Sequence, residues 1–312
     1  MANETVESGN SQVAQFSFLL LISVPGLVGN AAVVGSYLRF SALRHKVCLP
    51  LLTSLALTDC LAGFGLTPVS TGQLILRARP ISTTNLGCLL LSFPSAAGVT
   101  SSQLMTLFVA WDRLQAFDKP NAYRVKRHKR YAIRCVYFSL IFGLAMSSTM
   151  FLGEELLSIS VSCVSEALTP TLFLALYVLF IALICPSIVL VYVTAMYKMS
   201  QQTKRQQIAQ LRDRALERQL KVSKAINWVL FLYSLFFFAP NYLVFIGALL
   251  KFPPYILGYI AGFSAIGSAI NTGCNPFVYA AKNEDIRQYV LRFFKFKSAN
   301  SVENDKIRCE FW

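Results

Sequence analysis

Charge is what this sequence has least of. Only 14% of its 312 residues are Asp, Glu, Lys or Arg, while 55% are hydrophobic; a soluble domain carries about 25% charged residues. That balance excludes an ordinary water-solvated globule and points to lipid as the main solvent. Acids are the scarcer sign, 15 against 29 Lys and Arg, leaving a net charge of +14. A positive excess of that size can mark a nucleic-acid binder, but such a footprint sits on a soluble fold, so no nucleic-acid partner is expected. Histidine is almost missing. His45 and His128 lie in different basic loops, which leaves no His-based catalytic or metal centre. No convincing catalytic pair falls within the apolar segments, and the chain reads as a non-enzyme. No internal repeat or low-complexity block is visible, which counts against a repeat-built transporter. The first residues, "MANETVESGNSQ", are acidic and offer neither a basic start nor a small-residue cleavage site. The first apolar run therefore reads as a signal anchor rather than a removed signal peptide.

Long apolar runs are what the chain does have. Seven can be read, at residues 13–38, 47–76, 84–117, 131–152, 171–199, 221–250 and 255–281, each near the ~20 residues that cross a bilayer. The expected fold is an all-α membrane protein, a seven-transmembrane helix bundle over residues 13–281. An extracellular tail of residues 1–12 precedes it, and a cytoplasmic tail of residues 297–312 ends the chain. Between bundle and tail, residues 282–296 include "NEDIRQYVLRFF", whose spacing predicts an amphipathic eighth helix with Ile286, Tyr289, Val290, Phe293 and Phe294 toward lipid.

The basic residues give an orientation. Arg39, Arg44 and Lys46 follow the first run; Lys119, Arg124, Lys126, Arg127, Lys129 and Arg130 follow the third; Lys204, Arg205, Arg212, Arg214 and Arg218 separate the fifth from the sixth. The opposite loops hold only Arg77, Arg79 and Lys251. Positive loops stay cytoplasmic, which puts the N-terminus outside and the C-terminus inside. Asn3-Glu4-Thr5 is then a glycosylation sequon on the outer side, though so short a motif also arises by chance.

Polar residues within the runs are few, and each is informative. Asp59 stands in "LTSLALTDCLAGFG", Asp112 and Arg113 close the third run in "MTLFVAWDRLQAF", and "AINTGCNPFVYAAK" holds Asn271, Asn275 and Pro276. Buried amides need partners, and a proline inside a helix removes a backbone hydrogen bond. The Asp112–Arg113 pair reads equally as interfacial charge at a helix end or as a functional site. A buried acid kept only for packing is replaceable by apolar groups at no loss, so Asp59 reads as functional.

In order and spacing these residues resemble the rhodopsin-like (class A) G protein-coupled receptors, across essentially all seven spans. "GLVGN" supplies Asn30 in span one and "LALTD" supplies Asp59 in span two. Span three has Cys88 near one end and "WDRL" at the other, in the place of Asp-Arg-Tyr, with Pro120 seven residues beyond Arg113. Pro186 lies in span five and Pro240 in span six; "NPFVY", Asn275 to Tyr279, matches the NPxxY motif. The resemblance implies a plasma-membrane receptor that binds an extracellular ligand and activates a heterotrimeric G protein, with arrestin as a further partner. Asp112, Arg113, Pro120, Asn275, Pro276 and Tyr279 would form its coupling switch. The family gathers Asn30, Ser102, Asn271 and Asn275 around Asp59, which implies a sodium ion held by Asp59, Ser102, Asn271 and Asn275 and no other cofactor. Of eight cysteines, Cys88 and Cys163 fall on the oxidising side and are expected to pair. Cys48, Cys60, Cys135, Cys185 and Cys274 read as small apolar packers, and Cys309 in "CEFW" fits prenylation poorly.

The same resemblance bears on the ligand. Ser95 stands where amine receptors place an aspartate, and Ala269 where retinal-binding members place a lysine. The implied pocket comprises Ser95, Val99, Val178, Ala182, Phe238, Asn241, Tyr242, Phe245 and Ser268, apolar with a few neutral hydrogen-bonding groups. It suits a neutral or lipid-like small molecule, or a peptide reaching Glu154, Glu155 or Glu166. Four departures stand out: Leu114 after Arg113, Phe238 two before Pro240, a fourth span without tryptophan, and Thr194 where tyrosine is usual, with Tyr192 and Tyr197 near. The span-six acid that restrains the arginine in many members is replaced by Leu220. Glu217, a turn earlier, is placed to pair with Lys221 instead, so ligand-free signalling is expected. The alternative class, a seven-helix channel or transporter, needs a polar path that the sparse intramembrane charge does not provide.

Overall fold

Apolar runs too long for a soluble core fold here into helices long enough to cross a bilayer. The computed structural model describes residues 2–46, 49–78, 83–125, 127–152, 156–160, 171–209, 228 and 230–294. Among them, seven long helices follow one another. These are α1 (Ala2–Arg39), α2 (Leu49–Ala78), α3 (Asn85–Asp118), α4 (His128–Ser148) and α5 (Thr171–Ala209), then α6, a π-helical stretch Tyr233–Phe238 continued by Ala239–Leu249, and α7 (Pro254–Lys282). A shorter α8 (Glu284–Phe294) comes last, and one-turn helices at Ser41–Arg44 and Pro120–Val125 fill two of the basic connections. The expected start of span six, residues 221–227, lies outside the described residues.

Helix α1 absorbs residues 2–12, which sequence reading set apart as a tail. At 1.5 Å per residue its 38 residues extend about 57 Å, well beyond the ~30 Å hydrocarbon layer. Among the described residues, five stretches are long and apolar enough to span a membrane by length and composition: Val13–Arg39, Leu49–Leu76, His128–Phe151, Leu172–Lys204 and Leu230–Gly247. Helices α3 and α7, of 34 and 29 residues, fall short on composition, not length. The reason is position. Every residue of α3 from Thr100 to Thr106 is buried, and in α7 so are Ser264, Ser268, Asn271, Thr272 and Asn275. Polar groups are tolerated at membrane depth where they face protein instead of lipid.

Packing makes a closed circuit around α3. Helix α1 packs on α2 and α7, α2 on α3, α3 on α4 and α5, and α6 on α5 and α7. One apolar core runs through it, from Leu43 and Leu55 through Met105 and Ile188 to Tyr233, Phe237 and Tyr279. The rim is oily: Leu21, Ile141, Leu190 and Tyr259 are among many exposed large side chains, as lipid contact requires. The missing tryptophan of α4 has a counterpart in small residues. A Cβ at Gly143 would fall 2.2 Å from Ser101 Oγ, and Ser101 Oγ donates to Ser139 O at 3.0 Å. The helices meet backbone to backbone where a large ring would hold them apart.

Helices α6 and α7 approach even more closely. A Cβ on Gly267 would lie 1.8 Å from the carbonyl oxygen of Phe236, so only glycine fits there. Pro240, four residues on, has no N–H to offer that carbonyl. The backbone widens into π geometry beside it, with the Ala239 N–H bonding to Ser234 O.

At the end opposite the basic loops, Thr83–Thr84 pairs antiparallel with Ile159–Ser160. Asn85 N–H and Leu86 N–H donate to Ser158 O and Leu156 O at 3.0 and 2.9 Å. Residues 156–160 are thereby fastened to the start of α3. Lys251, in the α6–α7 turn, takes the left-handed backbone (φ 54°).

The eighth helix requires a correction. Ile286 and Tyr289, expected toward lipid, are buried in the bundle core and Val290 packs against it. The Phe40 and Tyr289 ring centroids are 5.0 Å apart. The apolar face of α8 docks largely on the end of α1; Phe294, with Leu291, remains exposed.

Candidate functional site

Midway along the bundle, Asp59 on α2 is 1% exposed. Ser102 Oγ of α3 donates to its Oδ1 at 2.5 Å, and Asn275 Nδ2 of α7 donates to its Oδ2 at 2.6 Å. One carboxylate thus ties three helices. Such a group costs several kcal/mol to desolvate, roughly, unless its lone pairs are met, and here a donor reaches each oxygen. Asn30 of α1 turns its amide N–H groups to Gly26 O and Thr272 O, both at 3.0 Å. Sequence reading placed Asn30 around Asp59. They do line one crevice, with Ser23, Gly26, Leu27, Gly63, Thr272 and Gly273, but Asn30 spends its donors on Gly26 O within α1 and Thr272 O of α7.

Asn271 is the unsettled member. It is buried, and neither its Nδ2 nor its Oδ1 has a partner among the described residues; Asn30 Oδ1 and Asn275 Oδ1 are alike in this. Each orphaned buried polar atom costs about 1–3 kcal/mol. A single carboxylate with neutral amide and hydroxyl oxygens near it is the donor chemistry of a hard, singly charged cation. No group of three or more His, Cys, Asp or Glu occurs among the described residues, so a high-charge divalent site is not supported there.

At the basic end, Asp112 and Arg113 are both buried. The Arg113 guanidinium bonds to Asp112 Oδ2 and donates to Tyr123 Oη at 2.8 Å, while Tyr123 Oη donates to the same Asp112 oxygen at 2.9 Å. Arg113 Cζ stands 5.8 Å from the Tyr123 ring centroid, within cation–π range. Pro120 opens the one-turn helix that carries Tyr123 inward. His128 Nε2 contacts Tyr123 O at 3.0 Å and its ring lies 4.5 Å from the Tyr123 ring. Sequence reading missed Tyr123. Its signal is position, three residues after the proline in a basic loop.

Two further contacts join the same ends of α3 and α5, and neither was foreseen. Lys198 Nζ lies 3.0 Å from Asp118 Oδ1, and Gln202 Nε2 donates to Phe117 O at 2.5 Å. Tyr279, the remaining aromatic of the switch set, is fully buried on α7 with a hydroxyl that has no described partner. Pro276 is buried beside Asn275.

Toward the opposite end, the nine pocket positions are distributed over α3, α5, α6 and α7. Phe238, Tyr242 and Phe245 form a ladder of rings with centroid spacings of 5.2 and 5.6 Å. Ser95, Val178 and Ala182 are half-buried, and Val99 belongs to the core. Asn241 Nδ2 donates to Phe237 O at 2.8 Å and Ser268 Oγ to Ser264 O at 2.9 Å. Asn241 and Ser268 therefore bond within their own helices, leaving acceptor capacity on Asn241 Oδ1 and Ser268 Oγ. Tyr233 Oη donates to Cys185 Sγ at 3.2 Å, linking α6 to α5 in the core below.

Cys135 and Cys185 are buried and Cys60 and Cys274 half-buried, none of the four in a disulfide. Cys88, at the start of α3, is disulfide-bonded. Cys163, Cys48, Cys309, Glu154, Glu155, Glu166, Glu217, Leu220 and Lys221 lie outside the described residues, and Asn3 is described only as backbone within α1. A family model described as 7 transmembrane receptor (rhodopsin family) matches residues 29–279, the stretch that contains the Asp59 cluster, the Asp112–Arg113 pair and all nine pocket positions. The comparison with curated proteins returns no match.

Proposed function

Because the chain belongs to the rhodopsin family of seven-transmembrane receptors, we propose that it takes a neutral or lipid-like ligand from outside the cell and activates a heterotrimeric G protein. Its place is the plasma membrane, with the N-terminus outside, the C-terminus inside, and the basic loops facing the cytoplasm. The observation that carries this reading is the state of Arg113. A guanidinium buried at the basic end, clamped by Asp112 and Tyr123, is a charge kept out of water for later use. A merely interfacial arginine would snorkel outward.

The ring ladder Phe238–Tyr242–Phe245 supports an apolar ligand, since no ionised group faces it among the nine pocket residues. A peptide reaching Glu154, Glu155 or Glu166 is the finer alternative. The Asp59 cluster is assigned to sodium: Asp59 supplies the charge, and Ser102, Asn271 and Asn275 supply neutral oxygens. Cys88 pairs with Cys163, a pairing helped by the hairpin that fastens residues 156–160 to the start of α3. Asn3 is a glycan site, and arrestin is a second partner at the basic end.

The test is nucleotide exchange on purified G proteins of several classes, catalysed by the full chain in lipid nanodiscs during a screen of neutral and lipid ligands. Ligand-dependent exchange on at least one class is expected. No exchange with any class, together with solute flux through the chain in liposomes, would replace the receptor reading with a channel or transporter.

A further inference from the structure

Like Asn271, Gln103 carries a fully orphaned amide. It lies midway along α3, completely buried, and neither its Nε2 nor its Oε1 has a partner among the described residues. Thr100, three residues earlier on the same helix, is also completely buried, with an unpartnered Oγ1. Residues three apart share a helix face, so an amide and a hydroxyl stand together with nothing to bond. Neither belongs to the nine pocket positions. Methionine would fill the space of Gln103 without an unmet polar group, so the amide costs this fold stability.

The neighbours of Gln103 fix the direction in which it points. Ser101 faces α4, where it bonds to Ser139 O, and Ser102 faces α2, where it bonds to Asp59. Successive residues turn about 100° around a helix, which directs Gln103 away from both, toward the side closed by α5 and α6. Side chains on a helix also lean toward its N-terminus and cover the preceding turn. For Gln103 that turn holds Thr100 and the pocket residue Val99, and α3 begins at the ligand side, beside the hairpin. The residues across from it offer no partner. Lys198 against Asp118 and Gln202 against Phe117 O set α5 roughly eighty positions ahead of α3 at equal height, so Val178 and Ala182 stand level with the turn from Val99 to Gln103. Both are apolar. On α6, Tyr233 gives its hydroxyl to Cys185 Sγ.

We propose that Gln103, with Thr100, forms a polar floor to the ligand pocket and selects a ligand with a neutral carboxamide end. The inference rests on the receptor reading above and names the chemical class of its ligand. A carboxamide presents N–H and C=O side by side, as Gln103 does, so the two amides exchange a pair of hydrogen bonds. Thr100 Oγ1 accepts the remaining N–H. The apolar remainder of the ligand lies along the rings of Phe238, Tyr242 and Phe245. An ionised head is disfavoured, since none of these residues carries a charge to offset its desolvation.

The full chain in lipid nanodiscs is titrated with three probes that share one tail. They are phenylhexanamide, the ketone in which a methyl group replaces the amide nitrogen, and phenylhexane. Affinity is read from the rise in melting temperature with probe concentration. The wild type is expected to bind the amide roughly tenfold more tightly than the ketone. Gln103→Met should abolish that preference, change phenylhexane affinity less than about twofold, and melt no lower than the wild type. Thr100→Val should reduce the preference to roughly threefold. Failure of the amide to bind, equal affinity of the wild type for amide and ketone, or a preference that survives in Gln103→Met overturns the proposal. A lower melting temperature in Gln103→Met overturns it too, because the amide would then already be partnered in the fold. None of these measurements involves a G protein, so the receptor reading keeps its own test in nucleotide exchange. Exchange without amide preference sinks this inference alone.

Discussion

Tyr123 and Asp112 are joined by a 2.9 Å hydrogen bond from phenol to carboxylate, on the same Asp112 oxygen that takes the Arg113 guanidinium. A residue of the loop after α3 therefore restrains the arginine. That role is independent of Leu220, where the sequence has no acid.

Removing that hydroxyl should loosen the restraint and leave the ring in place. Tyr123→Phe is expected to raise ligand-free nucleotide exchange about two- to tenfold, from a net hydrogen-bond worth of ~0.5–1.5 kcal/mol. Exchange unchanged in a variant of normal thermal stability would show that packing around Leu114 holds the arginine instead.

The Asp118–Lys198 bridge calls for a smaller effect. Each side chain is 40% exposed, so solvent screens the pair. A double-mutant cycle with Asp118→Asn and Lys198→Gln should give a coupling of about 0.2–1 kcal/mol in thermal unfolding, fading as salt rises. A coupling above about 2 kcal/mol would mean that the pair is drier than it looks.

Gly267 should tolerate nothing larger. Gly267→Ala puts a methyl onto the Phe236 carbonyl and is expected to cost about 1–3 kcal/mol, read as a lower melting temperature and reduced surface expression. An alanine variant with wild-type melting would show that α6 and α7 can part at no cost.

Asp59→Asn tests the cation. The fold should persist, because Asn keeps a carbonyl oxygen for Ser102 or Asn275, while any dependence of agonist affinity on sodium should disappear. A wild type indifferent to sodium, with Asp59→Asn signalling normally, would leave the cluster a structural tie.

Cys88→Ser and Cys163→Ser should impair surface expression or ligand binding equally, and no less than the double change. Mass mapping that finds Cys163 as a free thiol would reassign the partner of Cys88.

Helix positions were legible in the sequence because a membrane span is written locally, as about 20 apolar residues. The seven runs recur as α1 to α7 with ends displaced by a few residues, apart from α1, where residues 2–12 join the helix, α5, which runs on ten residues past 199 to Ala209, and the part of span six outside the described residues. The Asp59 contacts to Ser102 and Asn275 were legible through the resemblance. What was not legible depends on how helices approach. Alternation alone makes Ile286 and Tyr289 one apolar face; whether lipid or α1 covers it is decided by where the chain turns at Asn283. Tyr123 acts through a fold-back of the loop, and Asp118 meets Lys198 across a span of sequence with no periodic mark. Asn271 was read as a member of the cluster, yet its amide has no described partner.

The contact of the Phe236 carbonyl with Gly267 also marks the point about which α6 would pivot if it moved. From Phe236 to Leu249, α6 runs thirteen residues, a lever arm of about 20 Å on the ligand side. A stiff rod held at an interior point moves its two ends in opposite senses. If α6 moved as one rod despite the π-helical stretch at the pivot, a ligand that drew the Tyr242 end toward the bundle axis would swing the Leu230 end away from it. The amplitude is set by the ratio of the two arms. Moving the tight contact by one helical turn, in either direction, would change the gain with which binding at one face of the membrane is felt at the other.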